Sequence, residues 1–191
     1  VGEFGYLKPN NSGKLEFFNL STHIDSSFRD VWKTYTHGDT IFYCTKKYIF
    51  QYENHALRNQ IKLDEWHFLD FLVNGRLYLG NYKKGLMLLK GNKPVIAPGG
   101  SFYSEKDIFV VLPFHSNELL IGVQKQVFYL YNTQTGLSKS ISTLGRHFDE
   151  LNRYLQQIHL YNGIKLQNGH FAFATLDDGL IIVNGHSGEI A

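Results

Sequence analysis

Short apolar runs recur along the chain at 3–7, 40–44, 76–80, 118–122 and 170–174, each about as long as one strand. Aligned on Phe4, Ile41, Leu77, Leu120 and Phe171, they are 37, 36, 43 and 51 residues apart. A short polar turn after each run leads to a second apolar run, at 14–18, 48–52, 85–89, 127–131 and 179–183. Further apolar residues precede the anchors at 31–32, 68–73, 108–112 and 158–161, and the turns at 90–92 and 133–136 introduce a fourth, weaker strand. One supersecondary unit of four strands therefore repeats about every 40 residues, the period of a β-propeller blade. Helical repeats would need apolar positions at a period of 3.6, and leucine-rich repeats are shorter. A β-sandwich accounts for short strands but not for the same order of anchors and turns repeated along the chain.

The expected architecture is all-β, a β-propeller of about four to five blades of four-stranded antiparallel sheet, with units at 1–22, 23–62, 63–104, 105–142 and 156–191. Between the last two, Leu151, Tyr154, Leu155 and Ile158 fall at i, i+3, i+4 and i+7, which predicts a helical insertion over 146–157. The first unit begins at its second strand and the last stops as a fourth strand is due. Blades bury their faces on their neighbours, so the expectation is a fragment of a larger propeller that meets the remaining blades of a parent protein or a second copy of itself.

Composition narrows the function. Among 191 residues, 19 Lys and Arg stand against 17 Asp and Glu, a net charge of +2 that gives no whole-domain footprint for nucleic acid. No apolar run approaches the roughly 18 residues of a membrane span, so any membrane attachment is expected only through parent segments outside these residues. The single cysteine, Cys44, lies in an aromatic and β-branched run and reads as a small buried hydrophobe, which leaves the redox compartment open. Asn10-Asn11-Ser12 and Asn19-Leu20-Ser21 match the glycosylation sequon, a pattern short enough to recur by chance.

Catalytic constellations are not evident. The nine histidines are scattered without metal-ligand spacing, and one cysteine excludes the thiolate zinc patterns. Gly185-His186-Ser187-Gly188 lacks the glycine spacing of a nucleophile elbow and reads as a hairpin turn. The adjacent acid pairs Asp64-Glu65, Asp149-Glu150 and Asp177-Asp178 do not converge on one bond. The expectation is no enzyme, no metal and no cofactor.

A positional pattern remains. The turn between the second and third strands carries Lys46 and Lys47, then Lys83 and Lys84, then Lys125, and finally Asp177 and Asp178. Equivalent turns of a propeller share one face, where such lysines would focus a local positive field on an anionic ligand such as an acidic sugar. Polarity alone also accounts for lysines in short wet turns. Trp66 and Tyr82 are expected near the same face and offer rings for stacking, although a residue that precedes a blade also suits a core.

Asn74-Gly75-Arg76-Leu77-Tyr78-Leu79-Gly80 followed by Gly85-Leu86, and Asn168-Gly169-His170-Phe171-Ala172-Phe173-Ala174 followed by Gly179-Leu180, resemble the two-component regulator propeller repeat. That repeat runs asparagine-glycine-x-leucine-tryptophan-isoleucine-glycine-threonine, a turn, then glycine-leucine. Tyr78, Leu120 and Ala172 replace the tryptophan, and Cys44-Thr45 and Ala174-Thr175 replace glycine-threonine. The resemblance implies a non-catalytic periplasmic or extracytoplasmic sensor region, as in hybrid histidine kinases of Bacteroidetes and related membrane-spanning regulators, that recognises a carbohydrate-derived ligand. A protein–protein interaction scaffold is the alternative. A propeller lyase or glycoside hydrolase would need converging acids or a metal that these residues do not supply.

Overall fold

The computed structural model describes residues 2–22, 24, 28–124 and 128–190. Strands β1 (Gly5–Pro9) and β2 (Leu15–Asn19) form a two-stranded hairpin. Three four-stranded sheets follow: β3 (Val31–His37) to β6 (Ala56–Lys62) through β4 (Thr40–Thr45) and β5 (Tyr48–Glu53); β7 (His67–Val73) to β10 (Lys93–Ile96) through β8 (Arg76–Asn81) and β9 (Gly85–Lys90); and β11 (Ile108–His115) to β14 (Ser138–Ser140) through β12 (Glu118–Val123) and β13 (Phe128–Asn132). A last sheet holds β15 (Leu160–Lys165), β16 (Phe171–Thr175) and β17 (Leu180–Val183), and Ile190 returns to bridge Val183 antiparallel. In every sheet each strand is hydrogen-bonded to its chain neighbour, which is the blade meander of an all-β propeller.

Local chemistry explains the meanders. Asn74 and Gly75, at φ 50° and 71°, make a two-residue loop whose positive φ values match the twist of the flanking β7 and β8. Asn54 and His55 adopt the same sign, φ 50° and 62°, between β5 and β6, without a glycine to announce it. Two further turns are copies of each other. Asn132 Oδ1 accepts from Gln134 and Thr135 N–H, and Asn184 Oδ1 accepts from His186 and Ser187 N–H. Each turn closes with the glycine four residues on, Gly136 or Gly188, donating back to the asparagine carbonyl. The Gly185 to Gly188 segment is thus an asparagine-capped turn. Asn10 and Asn19 likewise accept from the backbone N–H and hydroxyl of Ser12 and Ser21, so both sequons are side-chain-capped turns.

Some strands depart from the hydrophobic pattern. Phe4 precedes β1, and it is buried as a core ring. The last sheet opens at Leu160, so Ile158 lies ahead of β15 and packs with the helix. Strand β6 is seven residues long although it reads as polar, because an outer strand needs backbone partners more than apolar faces. Val127, expected in the strand at 127–131, lies outside the described residues.

The chain divides into two compact units, Val1–His67 with Gly91–Lys93, and Phe68–Lys90 with Pro94–Ala191. The first has a core of rings, with Phe4 stacked on Tyr43 at 4.2 Å and Phe50 at 5.1 Å from both Phe4 and Phe28. Tyr43 and Tyr52 hydroxyls donate to the Gly5 and Leu20 carbonyls at 3.0 and 2.8 Å, which ties the β1–β2 segment to the β3–β6 sheet. Cys44 is fully buried in β4.

In the second unit, Phe71, Tyr78 and Leu86 pack on Val111, Leu119 and Ile121, joining one sheet face to the next. On the other face of the β11–β14 sheet, Leu120, Phe128 and Leu130 meet Phe171, Phe173 and Ile181. Gly122 permits this approach, since a Cβ there would stand 2.7 Å from the Leu160 side chain. Helix α1 (Arg146–Leu155) buries Phe148, Leu151 and Leu155 in the same cluster. Its Asn152 is 1% exposed and accepts the Phe128 N–H at 2.8 Å while donating to Ser140 and Ser142 Oγ at 3.1 and 2.9 Å.

Candidate functional site

Three of the turns between second and third strands, β4–β5, β8–β9 and β16–β17, are built by one device. The last residue of the incoming strand accepts hydrogen bonds from turn N–H groups through its side chain: Thr45 from Lys47 and Tyr48, Asn81 from Lys83 and Lys84, and Thr175 from Asp178. The backbone is thereby held from within, and the intervening side chains are exposed. The structure places Lys46 and Lys47 on the β4–β5 turn and Lys83 and Lys84 on the β8–β9 turn. Lys125 lies outside the described residues.

The turns differ in what their side chains meet. In the β8–β9 turn, the Lys83 ammonium lies 5.6 Å from the centre of the Tyr82 ring and 3.8 Å from a Glu105 carboxylate oxygen. Ser104 Oγ donates to the Lys83 carbonyl, fastening that turn to the following loop. The β16–β17 turn is acidic. Asp177 accepts from the His159 backbone N–H at 2.6 Å and lies 2.8 Å from its Nδ1, contacts that hold its carboxyl below the usual range, backbone bond first. Asp178 accepts from the Tyr154 hydroxyl at 2.7 Å, and this bond raises the phenol.

Only the β4–β5 turn, among these described turns, borders the cavity of about 280 Å³ in the first unit. Lys46, Lys47 and Arg29 line it with one carboxylate, Asp30, beside Phe28 and Trp32. Trp32, on β3, is 52% exposed, an unusual display for so large an apolar ring. An exposed indole in a cavity that three cations and one carboxylate also line can stack on a sugar while the charges fix an anionic substituent and hydrogen-bond a hydroxyl. In the sequence Trp32 reads as part of an apolar strand run, and no motif marks Arg29. Its neighbours in β3, Val31 and Lys33, alternate with it, but only the structure shows which face stays open.

Trp66 and Tyr82 are placed elsewhere. Trp66 donates its backbone N–H to Asp64 Oδ1 at 3.1 Å in the turn that leads into β7, and its ring is partly exposed. Tyr82 sits in the β8–β9 turn with Lys83. Among the described residues no group of three or more His, Cys, Asp or Glu side chains is placed to hold a metal ion, and no helix is long and apolar enough to cross a membrane.

No family model and no curated protein matches the chain. Solved structures do. The WD40 β-propeller domain of Doa1 superposes with a TM-score of 0.63 at 10% identity, over 94% of this chain and 56% of that one. The extracellular domains of two proteins described as hybrid two-component systems of B. thetaiotaomicron give TM-scores of 0.57 and 0.58 at 16% and 12% identity, over 91% and 97% of this chain. The chain spans about half of the WD40 domain and 23% and 27% of the two extracellular domains. At these identities the likeness establishes the fold, which is that of a β-propeller.

Proposed function

We propose that this chain is a non-catalytic sensor propeller, working outside the cytoplasm as part of a two-component or related membrane-spanning regulator, and that it recognises an acidic carbohydrate. The observation that carries the reading is the first-unit cavity, where the open Trp32 ring stands among Lys46, Lys47 and Arg29. Stacking supplies affinity for a pyranose face, and the cations select a uronate carboxylate over a neutral sugar. The extracellular sensor domains among the structural neighbours support the setting.

Calorimetry with oligogalacturonate tests this reading. Saturable binding is expected, weakened about tenfold or more in Lys46→Gln/Lys47→Gln and in Trp32→Ala, each lost charged contact being worth about one factor of ten. Heats unchanged by all of these substitutions would refute the assignment of this cavity.

A second reading, a protein-interaction scaffold, is favoured by one specific feature. The β1–β2 hairpin exposes Leu7, Leu15, Phe17 and Phe18 on a sheet of only two strands. Apolar side chains gathered on so small a sheet are a common mark of a contact surface. Recovery of a stable partner that is lost on Leu15→Lys/Phe17→Lys, with no glycan binding, would select that reading.

A further inference from the structure

A second cavity, of about 400 Å³, lies in the other unit, where three chain segments far apart in sequence bring His115, His170 and His186 together with Lys165. The histidines stand beside or within the β11–β12, β15–β16 and β17–Ile190 turns, and among the described residues no Asp or Glu lines the cavity. Its apolar side is the parallel pair Phe114 and Phe171, 6.0 Å apart at 8°.

Two of the polar groups, Lys165 and His170, are held as donors. Lys165 Nζ uses one proton on the Phe114 carbonyl at 3.2 Å and stands 5.8 Å from the Phe171 ring centre, leaving two N–H bonds. The His170 backbone N–H donates to Asn168 Oδ1, so the Asn168 amide nitrogen, 3.2 Å from His170 Nδ1, donates to that ring nitrogen. In the neutral ring the proton is therefore on Nε2, which is a donor. The turns that carry His170 and His186 touch: a Cβ on Gly185 would stand 2.1 Å from the Gly169 carbonyl oxygen, so glycine is what allows the contact. Asn184 holds the backbone N–H of His186 at 2.9 Å.

We propose that this cavity is a binding site for a small oxyanion, a carboxylate or phosphate group, received by Lys165, His170 Nε2 and the imidazoles of His115 and His186. Lys165 and His170 present donors at its wall, His115 and His186 line it with them, and the phenylalanine pair offers an apolar face to the body of the ligand. This site is independent of the Trp32 cavity, and neither reading rests on the other.

The test follows the imidazole carbon–proton NMR signals of the full chain at fixed pH and fixed ionic strength in chloride. Inorganic phosphate, galacturonate and galactose are titrated separately, with His115→Asn, His170→Asn and His186→Asn assigning the signals. Saturable movement of the His170 and His186 signals is expected with phosphate or galacturonate and not with galactose, whichever anion responds naming the source. Lys165→Gln is expected to weaken the response about tenfold and Lys46→Gln/Lys47→Gln to leave it unchanged. His186→Ala, at an exposed turn position, provides a second variant whose midpoint should also rise. Signals that stay still with both anions, or that move equally with galactose, would overturn the proposal.

Discussion

The first unit gathers a cluster made almost wholly of phenylalanine and tyrosine rings around Phe4 and Phe50, whereas the second mixes aromatic with aliphatic side chains across three sheets and adds a helix. Their turns differ as well. Thr45 caps a turn that exposes two lysines beside Trp32, and Thr175 caps one whose two aspartates bond to His159 and Tyr154. The same cap therefore supports opposite charges. In these two turns the hydroxyl at the strand end holds the backbone, and the residues between are free to carry recognition or to be spent on packing.

The largest test of this contrast is Phe50→Ala, which removes a fully buried ring in contact with Phe4 and Phe28 and should cost about 3–5 kcal/mol. Both tryptophans, Trp32 and Trp66, belong to the first unit, so their fluorescence reports its unfolding in denaturant. Amide exchange of α1 reports the second unit. Loss confined to the fluorescence transition sharpens the division between them, and equal loss in both readouts breaks it. Asn152→Ala strikes the second unit instead: the Phe128 N–H would be left buried without its acceptor, at about 1–3 kcal/mol, read by exchange of β13 and α1 amides.

Alkaline pH separates the regions more gently. Burial pushes the Tyr131 phenol up to about 12 and raises Tyr103 further, while Tyr43 and Tyr52 in the first unit are also raised by burial. The folded state keeps these protons after the unfolded chain loses them, so their stabilisation is full below about pH 10 and falls as pH rises towards about 12. Tyr131→Phe should flatten the alkaline fall of the second unit's stability, measured by denaturant titration across that window. The smallest effect is expected at Asp177, whose carboxyl is depressed by His159. Its contribution is present above the ordinary carboxylate pKa and lost as pH falls through the lowered value, so Asp177→Asn should slightly flatten the acid limb of the same titration.

Much of the blade grammar was legible in residue order. The runs around Ile41, Leu77, Leu120 and Phe171 are strands, and Leu151 and Leu155 are buried on a helix that ends at Leu155, two residues short of the expected insertion, so Ile158 is buried from the segment beyond it. Strand β6 was not legible, because its sequence, Ala-Leu-Arg-Asn-Gln-Ile-Lys, is held by backbone pairing to β5 rather than by a buried face. The Trp32 cavity was only half legible: lysines in a turn are visible in sequence, but which face of β3 remains open depends on packing from residues distant in the chain. The histidine cavity was invisible for the same reason, since His115, His170 and His186 come together only through the stacking of sheets.

The central claim, that the first unit reads an acidic sugar through Trp32 and the β4–β5 lysines, is tested most directly by fluorescence of Trp66→Phe, in which Trp32 is the remaining tryptophan. Titration with galacturonate is predicted to change its emission saturably, with the midpoint raised about tenfold in the Lys46→Gln/Lys47→Gln background. Emission that does not respond, or that responds equally without the lysines, would contradict it.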